Sequence, residues 1–346
     1  MEDSAYTTQT TDESGSMDMT APSTDATESA PAAESGRRGR SIPELAGLLV
    51  VLAALVVFFS LKSPYFLGAD NLLNILTAIA VVGIIAVPGT MLLVAGQVDL
   101  SVGSGAAFCG VLLATQVANF GLGGAVVIVI LAGVVIGAVN GFLVNVININ
   151  SLITTLGMLA VLRGFALLMA DGQTAIVNDF SALGTARPLG VPLPVIIFAA
   201  VVLAGIALMR YTVFGRSLYA IGANPVAARL VGIRTKRTLF ITFVLSGLAV
   251  AAAGLILTSQ LSAASPVAAQ GLELTVVTAV VLGGASLSGG RGTILGTVLG
   301  LVIIGVLNNG LTLLNINSFW QNVASGVLLI LAVSFDQLRM RLSPTN

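Results

Sequence analysis

Apolar runs of about twenty residues alternate with short polar or glycine-rich interruptions from Leu45 almost to the end of the chain. A helix of about twenty apolar residues crosses the hydrocarbon core of a bilayer. The pattern predicts spans near 44–61, 72–94, 101–119, 124–146, 151–170, 193–209, 238–260, 271–286, 292–313 and 318–335, the eighth being the least regular. The expected fold class is therefore all-α: a polytopic membrane protein of about ten transmembrane helices with interrupted Gly-rich segments. Residues 1–36 hold Ser, Thr, Asp, Glu, Ala and Pro with no apolar run. Such a segment buries too little surface to offset its ordering entropy. The expected organisation is a disordered acidic tail over 1–40, a membrane domain over 41–337 and a short C-terminal tail over 338–346.

Composition agrees. Of 346 residues, 56% are hydrophobic and 9% charged, whereas soluble domains carry roughly 25% charged residues. The chain has no His and one Cys, which excludes a His general base, a Cys/His zinc site and a disulfide framework. Net charge is zero, with no basic face for nucleic acid. Charge placement sets the expected orientation, because Lys and Arg flanking spans are retained on the cytoplasmic side. Arg37, Arg38 and Arg40 precede the first span, six bases and no acid occupy 210–238, and Arg339 and Arg341 follow the last span. All three clusters fit cytoplasmic N- and C-termini.

Two stretches interrupt the apolar pattern at corresponding places, Gly96 to Gly105 and Gly283 to Gly292. At an offset of 187 they share Gly96/Gly283, Leu100/Leu287, Ser101/Ser288, Gly103/Gly290 and Gly105/Gly292, which points to a weak internal duplication. Paired Gly-interrupted segments mark broken helices beside a transport path; the alternative is a pair of interfacial turns. The remaining glycines of the spans suit close helix packing. An ionisable residue within a span is a functional candidate, which singles out Asp99 and Arg163, either as a mutual ion pair or as substrate contacts. Asn308 and Trp320, with Asn74, Asn140, Asn309 and Gln321, suit a polar solute: amides bond hydroxyls, and an indole stacks on a sugar ring. Such groups more often serve as interhelical glue. The expected translocation path is thus Asp99, Arg163, Asn308 and Trp320, with no catalytic and no metal-binding residue.

Within 210–238, Asn224-Pro225 supplies an N-cap and a Pro at the first helical position, and Gly232 supplies the stop. Between them Val226, Leu230 and Val231 make an apolar stripe that needs a cover, either a groove in another subunit or the lipid headgroups. The chain has no G-x-x-x-x-G-K-[ST], so it cannot cradle ATP phosphates itself. Only Asp99 and Glu273 stand near membrane depth outside connecting loops, which weakens an ion-coupled secondary transporter as the alternative. A separate ATPase docked at 224–233 fits better, through Asn224, Pro225, Ala227, Ala228, Arg229, Leu230 and Gly232.

The stretch Phe214 to Pro225 followed by Ala227-Ala228-Arg229-Leu230-Val231-Gly232-Ile233 closely resembles the coupling loop of ribose-type ABC transporter permeases. Gly96 to Gly103 resembles that family's GGIDLSVG segment. Asn140-Gly141 with Thr155-Leu156-Gly157 and Arg163-Gly164 resembles its central stretch, and Gly283 to Thr293 with Leu307, Asn308 and Gly310 its C-terminal signature. The resemblance covers residues 45–336. It implies a non-enzymatic permease subunit in the inner membrane of a prokaryote, forming a dimer with a second permease copy. It also implies cytoplasmic ATP-binding subunits, which hold the ATP and Mg, and an extracytoplasmic binding protein that delivers a simple sugar such as ribose. Gln97, Val226 and Thr275 depart from the family pattern, which usually has Gly, an acid and Asp there.

Overall fold

The computed structural model describes residues 42–342, with side chains from Ala46 to Ser334 except at 325, 329 and 332. The tail expected over 1–40 and residues 343–346 lie outside the described residues.

The described chain is helical nearly throughout. Its helices are α1 (Ile42–Lys62), α2 (Ala69–Val94), α3 (Val102–Asn145), α4 (Ser151–Met169), α5 (Ala182–Thr185), α6 (Leu193–Tyr211), α7 (Val213–Ala223), α8 (Pro225–Leu230), α9 (Thr235–Leu261), α10 (Leu272–Leu282), α11 (Ile294–Leu313) and α12 (Ser318–Leu342). Six of them, α2, α3, α4, α6, α9 and α11, are long and apolar enough to cross a membrane. The protein is a polytopic all-α membrane protein.

The 44 residues of α3 would make a rod of about 66 Å at about 1.5 Å per residue, twice a bilayer core. The chain avoids this by reversing at Gly121, whose φ of 66° and ψ of 172° leave the helical region. Packing on α9 records the reversal. Before Gly121, positions rise together along the two helices: Gly105 meets Val250 and Gly110 meets Thr258. After it they run oppositely, Gly133 meeting Ala251, Gly137 meeting Phe243 and Gly141 meeting Phe240. The spans expected at 101–119 and 124–146 are therefore the two arms of α3. A glycine at each of these contacts lets backbone touch backbone, which is how helices gain dispersion energy where no water is available to be expelled.

The expected eighth span is the exception. Helix α10 has only 11 residues, about 16 Å at about 1.5 Å per residue, too short to cross alone. Its chain continues through the irregular 283–293 segment before α11 begins. Helix α12 runs to Leu342, past the boundary expected at 337. The connection 170–192, to which the hydropathy pattern assigns nothing, forms a two-residue strand β1 (Ala175–Ile176), α5 and a 3₁₀ turn at Pro188–Gly190. Strand β1 pairs antiparallel with β2 (Ala263–Ala264). Elements this short bury too little to leave a periodic signal.

The most enclosed helices are α2 and α9; α4 and α6 are peripheral. Polar pairs fasten α2 to α11. The Thr90 and Thr297 hydroxyls lie 2.7 Å apart with both residues buried. Asn71 and Asn309 exchange reciprocal amide hydrogen bonds of 2.8 and 2.9 Å. Interhelical bonds of this kind contribute about 0.6 kcal/mol each, up to about 1.7. Asn71→Leu should therefore lower the unfolding free energy in detergent by about 1–2 kcal/mol. Adding Asn309→Leu should cost little more, since the second change removes an already unpaired group; additive losses would show that the pair is not coupled.

Candidate functional site

The helix expected between Asn224 and Gly232 is present as α8. The Asn224 side chain accepts from the Val226 and Ala227 amides at 2.9 and 3.0 Å, meeting two of the donors that a helix start leaves open. Pro225 occupies the first helical position, and Gly232 ends the turn at φ 83°. Ala228 faces inward against Leu218, Ile221 and Leu239. The opposite face is bare: Val226, Leu230 and Val231 are 55%, 83% and 76% exposed, and Ala227 and Arg229 are exposed beside them.

Helix α7 leads into α8 and ties it to the interior. The side chain of Thr212 caps α7 by accepting from the Gly215 amide. At the other end Gly222 touches the irregular 283–293 segment and Val94, the last residue of α2, which leads into the irregular 95–101 segment. The Gly290 amide donates to the Val94 carbonyl at 2.8 Å, and a side-chain carbon on Gly222 would overlap both of those groups. A carbon on Gly289 would fall 3.0 Å from both the Gly222 carbonyl oxygen and the Gly96 nitrogen. One turn earlier, the Tyr219 hydroxyl donates to the Gly292 carbonyl at 2.8 Å. Burial raises the Tyr219 pKa, which keeps the proton this bond uses. The second interruption lies where the sequence places it, and the first is shorter than expected because α3 already begins at Val102. The two lie close at Gly96 and Gly289, and α7 contacts the second directly and the first only at its edge, through Val94.

Asp99 lies in the first interruption and is buried. Its Oδ1 accepts from the Ser101 amide at 3.0 Å and the Ser101 hydroxyl at 2.6 Å, and its Oδ2 accepts from the Ser246 hydroxyl of α9 at 2.8 Å. The Asn140 amide on the second arm of α3 donates to the Ser101 hydroxyl at 2.9 Å. A buried carboxylate needs such donors, since removing it from water unpaired costs several kcal/mol. The carboxylate thus pins the interruption to α3 and α9.

The Asp99–Arg163 pair that the sequence allows does not form. Arg163 on α4 donates to the Pro266 and Ala268 carbonyls in the connection between α9 and α10. A guanidinium offers five donors in a fork, and carbonyls of an irregular loop supply acceptors that a helical neighbour cannot. Asn308 sits on α11 with its Oδ1 buried and without a partner among the described residues; Asn140 Oδ1 is in the same state. Trp320 lies at the start of α12 and is 64% exposed. Asn74 is exposed, Asn309 is spent on Asn71, and Gln321 donates to Thr312. The four expected path residues are thus not gathered into one cluster by hydrogen bonds. Sequence reasoning gave no role to Ser101 and Tyr219, although both lie in stretches it singled out, and it missed Ser246, whose only signal is a lone hydroxyl in an apolar helix. No group of His, Cys, Asp and Glu suited to a metal ion occurs among the described residues.

The relatives of this helical bundle are membrane permease components. Residues 71–333 match the family described as branched-chain amino acid transport system / permease component, and the chain belongs to that family. It is similar to the ribose import permease protein RbsC of Escherichia coli (strain K12), 40% identical over 295 residues, 83% of this chain and 92% of that one. RbsC of Bacillus subtilis (strain 168) is 39% identical over 299 residues, 84% of this chain and 92% of that one. The L-arabinose ABC transporter permease protein AraH of Azospirillum brasilense is 39% identical over 301 residues, 85% and 87% of the two chains. No solved structure matches.

Proposed function

We propose that this chain is the membrane-spanning subunit of an ATP-driven importer for a simple sugar, with pentoses such as ribose first among the candidates. Its 40% and 39% identity to ribose and arabinose permeases supports the substrate class. The observation that carries the mechanism is the uncovered α8 joined through Gly222 to the second interruption and to the end of α2, where the first interruption begins. Separate ATP-binding subunits on the cytoplasmic side, holding the ATP and Mg, cover Val226, Leu230 and Val231. When those subunits close on ATP, α8 and α7 move together, and Gly222 and Tyr219 carry the displacement into 95–101 and 283–293. The spans then switch between outward-open and inward-open arrangements. Both termini are cytoplasmic, by the basic residues at 37–40, 210–238 and 339–341. A second permease copy completes the membrane unit, and an extracytoplasmic binding protein supplies the sugar. The open acceptors of Asn140 and Asn308 suit sugar hydroxyls along the path, Trp320 suits a ring at its edge, and Asp99 and Arg163 act as struts.

Leu230→Asp with Arg229→Glu places two acids in the docking face. Leaving charges buried without partners costs about 2–5 kcal/mol at an interface. Sugar uptake by the assembled complex should fall more than about tenfold, with the chain still present at its normal level in the membrane. Uptake by the unaltered complex should persist when ion gradients are collapsed at constant ATP. Undiminished uptake in the double variant would remove α8 as the coupling element.

A further inference from the structure

Beside α8 lies a cavity of about 550 Å³, within the usual range of small-ligand sites. Its walls are the first interruption, the connection between α3 and α4, and the start of α9. Two cations line it, Arg229 on α8 and Lys236 on α9, together with the amide side chains of Asn145 and Asn148. No Asp or Glu is among the lining residues. Two cations and two amides therefore converge on one space that no acidic side chain lines.

We infer that this cavity is a binding site for the phosphate monoester of a small sugar, in which Lys236 and Arg229 meet the phosphate and Asn145 and Asn148 meet hydroxyls. Arg forks onto phosphate oxygens and Lys offers a point charge. An unphosphorylated sugar has no use for two cations, so the site is distinct in chemistry from a neutral-sugar path. The choice of a sugar as the carrier of the phosphate rests on the import reading above; the preference for an anion does not.

The test uses the full purified chain in phosphatidylcholine nanodiscs and equilibrium dialysis with labelled ribose 5-phosphate, so it needs no transport. Saturable binding is expected, displaced by inorganic phosphate and not by ribose. Lys236 and Asn148 are both exposed, and neither Lys236→Gln nor Asn148→Asp should alter the unfolding midpoint. Losing one charge-assisted bond, or adding an acid beside the phosphate, should weaken binding about tenfold. Absence of saturable binding, or binding untouched by both variants, overturns the assignment. Binding by inorganic phosphate with no gain for the sugar ester overturns the sugar part alone. Loss of binding in nanodiscs containing phosphatidylglycerol would assign the cavity to a lipid headgroup instead.

Discussion

Gly222→Ala should abolish most transport while leaving α8 itself intact. The added methyl has no free volume: it would overlap the Val94 carbonyl oxygen and the Gly290 nitrogen, and both are backbone atoms that no rotamer change can move. Inserting a carbon into such a contact costs about 1–3 kcal/mol. Breaking the Gly290–Val94 hydrogen bond adds about 1 kcal/mol. The expected destabilisation is about 2–4 kcal/mol, read as a lowered unfolding midpoint in detergent. Because the contact joins α7 to the end of α2 and to the second interruption, uptake should fall further than the lost protein accounts for. Gly47→Ala in α1 is the control: nothing lies within 4 Å of its added carbon. In a helix interior Ala is favoured over Gly by about 1 kcal/mol, so that variant should be neutral or slightly stabilised. Equal behaviour of the two variants would mean that the junction transmits nothing.

Asp99→Ala is expected to be nearly as damaging, for a different reason. The substitution leaves the Ser101 amide, the Ser101 hydroxyl and the Ser246 hydroxyl without their acceptor in a buried site. Each unmet donor costs about 1–3 kcal/mol, and partial rearrangement of the hydroxyls brings the expected total to about 3 kcal/mol. Asp99→Asn keeps the shape and one carbonyl acceptor, so it should lose only about 1 kcal/mol. The two substitutions also separate a strut from a substrate contact. A strut predicts that Asp99→Asn lowers stability and maximal uptake modestly with the half-saturating sugar concentration unchanged. A rise of about tenfold in that concentration, with normal stability, would instead place Asp99 on the path.

Much of α8, the proposed coupling element, was legible in the chain itself because it is local. Asn224, Pro225 and Gly232 are capping and stop residues whose effect is exerted within a turn of where they stand, and the bare stripe of Val226, Leu230 and Val231 follows from helical spacing alone. The spans were legible because a hydrocarbon slab sets both their length and their composition. The eighth was poorly legible for the same reason: α10 is too short to cross, and the apolar signal runs on into the irregular 283–293 segment. Asp99 and Arg163 were recognisable as costly, but not as belonging to separate networks.

The order and membrane character of the helices, the presence of two interruptions and the form of α8 were determined by the amino-acid sequence, since each follows from hydropathy or short-range backbone chemistry. The meeting of the interruptions at Gly222, the reversal of α3 along α9, and the assignment of Ser246 rather than Arg163 to Asp99 were decided by tertiary structure. Contacts between residues more than a hundred positions apart depend on which helix faces meet. In lipid those faces are chosen by close packing and hydrogen-bond satisfaction, and neither leaves a periodic trace in a single chain.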